Sequence, residues 1–107
     1  MEIVNIDWLI EHGFQDYRCN PSKNKRVYFR HFYDDAEDKE EIITYEKIYS
    51  TKYDYKTRSE IEDNDFNIYI NLLKSTSGIK GDNISLKMNL ELNEELTVEK
   101  FIGFKFD

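Results

Sequence analysis

The sequence predicts an α+β domain in which a short N-terminal helix packs on a mainly antiparallel, twisted β-sheet of about five strands. Three observations carry that expectation. NISLKMNLELN, residues 83–93, alternates apolar and polar side chains without a break, the period of a strand with one dry face and one wet face. RVYFRHFY (26–33) and IITYEKIYSTKYDYK (42–56) are rich in aromatic and β-branched residues and keep the same period. NIDWLIEHGF, residues 5–14, instead carries a set of helix start and stop signals.

In that first stretch Asn5 is suited to cap a helix, Asp7 sits in the first turn near the positive helix end, and Gly13 can close it in the left-handed conformation. Ile6, Leu9 and Ile10 fall at i, i+3 and i+4 and are expected to share the core face, with Trp8 flanking them. Phe14 follows the glycine and can supply the apolar contact that accompanies such a stop. QDYRC (15–19) reads as a short strand and NPSKNK (20–25) as a turn.

In RVYFRHFY, Val27, Phe29, His31 and Tyr33 share one face, and Tyr28, Arg30 and Phe32 the other. DDAEDKEE (34–41) then forms the tip of a hairpin, because Ile43, Tyr45, Lys47, Tyr49, Thr51, Tyr53 and Tyr55 alternate along a long strand or a strand and its continuation. SEIEDNDFN (59–67) reads as a second acidic connection, where Ser59 and Glu62 have the spacing of a capping box and a short helical turn.

Residues 66–74 fit two periods. Phe66, Ile68, Ile70 and Leu72 alternate as in a strand, while Phe66, Tyr69, Ile70 and Leu73 make a helical stripe. A strand is favoured, since STSGIKGD (75–82) then turns into the alternating run whose Ile84, Leu86, Met88, Leu90 and Leu92 face the core. Over 96–106, Thr97 can cap a last helical turn ended by Gly103, or Ile102, Phe104 and Phe106 can alternate as an edge strand. Without internal repeat or linker, residues 1–107 read as a single globular domain.

Composition narrows the function. Aromatic residues make up 15% of the 107, enough ring surface for one modest core, so the 35% of charged residues does not imply disorder. No apolar run reaches the roughly 18 residues of a membrane span. Glu2 and Asp7 occupy the place of the basic region of a secretory signal. Cys19 is the single cysteine, so no internal disulfide can form, and a reducing cytoplasmic location is expected. Usage also leans toward Phe, Tyr, Ile, Asn and Lys, whose codons are AT-rich, which points to a bacterial, phage or mobile-element gene.

The net charge of −7 is uneven: residues 1–33 hold four acids and five bases, residues 34–107 eighteen acids and ten bases. Direct nucleic-acid binding and docking on anionic membranes draw mainly on Lys and Arg, so neither is expected. A basic protein partner is.

The chemical inventory is small. His12 lies at the proposed helix end, where an imidazolium suits the dipole, and His31 lies among Phe29, Phe32 and Tyr33. A thiolate dyad of Cys19 and His31 is conceivable but nothing in the spacing calls for it. One cysteine and two histidines fall short of a zinc site, GIKG (78–81) lacks the pattern of a phosphate loop, and neither DDAED nor DNDFN has calcium-loop offsets. No catalytic residue, metal or cofactor is expected, and the chain reads as a protein other than an enzyme.

What stands out is acidity. DDAEDKEE carries six acids and one lysine; further clusters lie at Glu60, Glu62, Asp63 and Asp65, and at Glu91, Glu94, Glu95 and Glu99. The plainer account is a solvated loop that keeps strand edges apart. Recurrence of the clusters beside tyrosines favours an interface, because tyrosine offers large contact area for little rotamer entropy. The expected partner-binding set is Asp34, Asp35, Glu37, Asp38, Glu40 and Glu41, with Tyr45, Tyr49, Glu60, Glu62 and Asp63. The function that follows is a monomeric or weakly dimeric inhibitor of a basic, nucleic-acid-acting protein: a toxin immunity protein or a phage antagonist of host defence. The alternative is a structural or assembly protein of a phage or mobile element.

Overall fold

A computed structural model describes residues 2–17, 24–77 and 83–106. Cys19 and most of the STSGIKGD turn lie outside the described residues, as does the side chain of Ile84. The chain runs α1 (Ile6–Glu11), β1 (Gln15–Asp16), β2 (Lys25–Asp34), β3 (Lys39–Asp54), β4 (Ser59–Ser77), β5 (Asn83–Leu92) and α2 (Val98–Phe106). The strands form one antiparallel meander in sequence order, β1-β2-β3-β4-β5. Among the described residues, no helix is long and apolar enough to cross a membrane.

Helix α1 is built by its ends. Asn5 Oδ1 accepts from the Trp8 amide at 2.8 Å, and Gly13 at φ 87° reverses the chain. The Gly13 amide then donates to Ile10 O and the Phe14 amide to Leu9 O, the paired bonds of a Schellman stop. Its buried residues are Trp8 and Leu9, whereas Ile6 and Ile10 are 55% and 52% exposed. The expected core stripe of Ile6, Leu9 and Ile10 is therefore corrected: six residues are under two turns, too few for periodicity to fix the face. The large Trp8 ring sets it instead, edge-on to Phe101 at 5.4 Å and stacked on His12 at 3.9 Å.

One face of the sheet is covered. Tyr28, Ile43, Tyr45, Ile68, Ile70 and Leu72 meet Val4, Trp8, Leu9, Phe14, Leu96 and Phe101 in a single cluster. Met88, Leu90 and Leu92 of β5 pack against it half-buried. Full burial of an Ile or Leu contributes about 1.5–3 kcal/mol, so this cluster dominates stability. The two termini are tied together over it by an Ile3–Thr97 bridge, with the Val4 amide donating to Leu96 O at 2.8 Å. Thr97 Oγ1 accepts from the Lys100 amide at 3.1 Å and so starts α2, which continues through Gly103. Of the two expectations for 96–106, the helix is the one found.

Two of the hairpins share one design. Asp35–Asp38 joins β2 to β3, and residues 55–58 join β3 to β4. Each turn is opened by an aspartate whose Oδ1 accepts from the amide two residues on: Asp34 from Ala36, and Asp54 from Lys56, both at 3.0 Å. Each is closed by a residue in the left-handed region, Asp38 at φ 51° and Arg58 at φ 55°. The expected connection at SEIEDNDFN is corrected accordingly. Those residues belong to β4, and the reversal falls earlier, at Tyr55–Arg58, because Asp54 supplies the turn and Ser59–Glu62 pair with Thr51–Asp54. Residues 66–74 are strand, as favoured.

Among the described residues only β3 and β4 extend beyond Tyr49 and Phe66, so their far third is a two-stranded ribbon projecting from the sheet. The molecule is accordingly elongated, 62 × 32 × 22 Å.

Candidate functional site

Strand register determines where the helices stop covering the sheet. The row Ile43–Leu72–Met88 lies under the core. Two residues further along, the next row on the same face is Phe32–Glu41–Lys74–Leu86, running across four strands. Here Phe32 is 56% and Leu86 51% exposed. The expectation that Leu86 faces the core is corrected: it has the core-side parity, but the helices end before it. Between Phe32 and Leu86 lies a groove of about 380 Å³ with Lys39, Glu41, Lys74 and Thr76 along it.

The acidic β2–β3 turn stands at the end of this groove. Asp34, Asp35, Glu37 and Asp38 share it with one base, Lys39, whose Nζ is 2.8 Å from Glu37. The hydrogen bond and charge of Glu37 hold the Lys39 pKa up. The Tyr33 hydroxyl donates to Asp38 Oδ1 at 2.9 Å, and that bond together with the nearby negative charge raises the phenol's pKa. Glu41 is held by Arg30 at 3.0 Å and Lys74 at 3.9 Å, and Glu40 faces His31 at 3.5 Å. Glu40 and Glu41 are thus fixed in β3 by neighbours, while the four turn acids form a tip over which negative charge prevails.

The other members of the sequence-predicted set lie elsewhere. Glu60, Glu62 and Asp63 sit on the projecting β3–β4 ribbon, with Arg26 2.8 Å from Glu62 and Lys52 3.9 Å from Asp63. The sixteen residues of β3 separate the two turns, roughly 50 Å at strand rise, so the structure does not bring these acids to the tip. Tyr45 is 5% exposed and belongs to the core beside Tyr28; burial, then the charge of Glu95, pushes its phenol pKa well up. Tyr49 is half-buried against Phe66, with Lys47 Nζ 5.2 Å above its ring.

Tyr45 and Tyr49 line a second cavity, of about 550 Å³, between the start of α1 and the sheet. Its two cations are engaged, Lys47 with Glu95 at 2.9 Å and Arg26 with Glu62. Burial opposes the charge on Lys47, but hydrogen bonds to Glu95 and Tyr49 outweigh it and the pKa rises. With both cations engaged and Asp7 also on its wall, this pocket offers no excess of positive charge to a ligand.

His12 is taken up by stacking on Trp8, with Nδ1–H donating to Trp8 O at 2.7 Å. His31 is on the opposite face of the sheet from Phe32. Among the described residues, no cluster of three His, Cys, Asp or Glu could hold a metal ion.

Sequence reasoning missed Phe32 and Leu86 as surface residues. Parity put Leu86 on the core side and left the face of Phe32 unassigned; both lie on the helix-covered side, and only the length of that cover leaves them open. No family model, curated protein or solved structure matches this chain.

Proposed function

We propose that this protein is a small cytoplasmic inhibitor that binds a basic protein partner through its β2–β3 end. The observation that carries the reading is the juxtaposition of an acidic tip with two exposed apolar side chains. Asp34, Asp35, Glu37 and Asp38 project beside a groove flanked by Phe32 and Leu86. Such a surface has the two parts a fast, specific interface needs. The charge raises encounter rates with a positive partner by about 10 to 10³-fold, and the apolar anchors, once dry, supply most of the affinity. Phe32 takes the anchoring role that the sequence assigned to tyrosine.

A partner that is itself basic suits a nuclease-like toxin or a defence effector, since proteins that act on nucleic acid carry Lys and Arg on their working surface. Covering that surface would inhibit it. This is the logic of an immunity protein or of a phage-borne antagonist of host defence.

The test is a photo-crosslinking amino acid placed at Phe32, and in a second variant at Tyr55, with captured proteins identified by mass spectrometry from the cells that carry the gene. Capture of one basic protein from position 32, lost on neutralising the four turn acids, supports the proposal. Capture from position 55 alone, or of an acidic protein, contradicts it.

A further inference from the structure

We infer that β5 is the seam of a symmetric dimer, in which two copies pair edge to edge and antiparallel about a two-fold axis at Asn89. β5 ends the sheet, so along its ten residues the backbone N–H and C=O groups of every second residue face away from β4, with no neighbouring strand among the described residues. A free edge of this length is a template for another strand, and a two-fold axis normal to the sheet generates antiparallel pairing by itself. The occupant argued here is a second copy, because the side chains of β5 are complementary to themselves.

On the uncovered face β5 presents Lys87, Asn89 and Glu91. Within the chain their cross-strand neighbours on β4 are Leu73, Asn71 and Tyr69, and among the described residues neither Lys87 nor Glu91 has an ion-pair partner. With the axis at Asn89, Lys87 of each copy stands opposite Glu91 of the other, which makes two cross-strand ion pairs. On the helix side Met88 meets the second copy's Leu90, and the half-exposed Leu86 meets its Leu92. Moving the axis to Met88 or to Leu90 keeps the faces but puts Lys87 opposite Asn89 or Asn93 and leaves both charges unmatched. Charge therefore selects the register, as cross-strand pairs do within a sheet.

The net charge of −7 on each copy opposes association only weakly at this edge. The β2–β3 tip lies two to three strand spacings away, roughly 10 to 14 Å, beyond the Debye length of about 8 Å at physiological salt. The same spacing leaves Phe32 and the acidic tip open in the dimer, and of the groove residues only Leu86 is shared between self-association and partner binding.

Sedimentation equilibrium tests this with the full chain, over a micromolar to sub-millimolar range. Wild type is expected to form a concentration-dependent dimer. Lys87→Glu replaces two attractive pairs by two repulsive ones and should weaken it roughly tenfold or more. Lys87→Glu combined with Glu91→Lys restores opposite signs and should restore the dimer. In a Cys19→Ser background, Asn89→Cys should form a disulfide-linked dimer on mild oxidation, because residues at the axis face their own copies at strand spacing. Ser85→Cys, far from its own copy in this register, should not. Monomers throughout the range overturn the inference. So does a dimer indifferent to Lys87→Glu, or cross-linking at position 85 in place of 89. Far-UV circular dichroism of each variant at micromolar concentration verifies that the fold is kept.

Discussion

Leu72 and Leu86 sit on the same face of adjacent strands, yet the structure assigns them very different energies. Leu72 is 2% exposed under the helices; Leu86 is 51% exposed one row past Met88, its own cross-strand neighbour being Lys74. Replacing Leu72 by Ala removes three carbons from a packed site and leaves a cavity, at a cost of about 2 to 5 kcal/mol. Replacing Leu86 by Ala removes as many atoms from a surface already half in water, and the expected cost is within about 0.5 kcal/mol. Leu90, half-buried at the edge of the cluster, should fall between them. For a domain of this size each kcal/mol moves the melting temperature by roughly 4 to 8 °C, so Leu72→Ala should lower it by about 8 to 40 °C and Leu86→Ala by less than about 4 °C. The assay is thermal and urea unfolding followed by circular dichroism, at protein concentrations low enough to keep self-association out. Equal losses for the two leucines would show that the helices cover the whole face, and the open groove beside the acidic tip would not exist.

Other outcomes follow from single features. Gly13→Ala puts a Cβ at φ 87°, 3.4 Å from Arg30 Cδ, and should cost about 1 to 2 kcal/mol in urea unfolding; an unchanged midpoint would refute the Schellman stop. Asn5→Ala loses the cap on Trp8 N and should cost about 0.5 to 2 kcal/mol, whereas Asn5→Asp should cost less. The buried Tyr45 phenol is harder to ionise in the folded state than in the unfolded chain. Its contribution is thus fully present below the unfolded phenol pKa of about 10 and is lost as pH rises beyond it. Unfolding midpoints should drop above that pH, and more steeply for wild type than for Tyr45→Phe; parallel curves would contradict the burial. Neutralising Asp34, Asp35, Glu37 and Asp38 as amides should leave the melting temperature nearly unchanged, because exposed ion pairs contribute well under about 1 kcal/mol.

How much of this was legible in the sequence depends on how far each signal reaches. Caps at Asn5 and Gly13 act through atoms within four residues, and both read correctly. Alternation in β3 and β5 persists for ten residues or more and fixed both strand type and parity. The face of α1 was misjudged because six residues give the period too little length, so Trp8 decided it by packing. Residues 59–65 were misjudged because dense acids resemble a loop and Ser59 and Glu62 match a capping box. The true turn at residues 55–58 has no Gly, Pro or Asn to announce it. The acidic tip was visible as composition. Its separation from Glu60, Glu62 and Asp63 follows from the length of β3, and the exposure of Phe32 from where the helices end. Both are properties of tertiary arrangement that no local window contains.

The central claim is that the β2–β3 tip steers a basic partner onto this protein. The most direct measurement is the association rate constant, by stopped flow across a range of ionic strengths, for the partner captured through position 32. Wild type should associate quickly at low salt and slow steeply as salt is added. The variant with all four turn acids neutralised should start slower by about tenfold or more and depend much less on salt, with dissociation little changed, since rim charges act mainly on encounter. Superimposable rates for the two proteins at low salt would contradict the account and leave DDAEDKEE as a solvated turn.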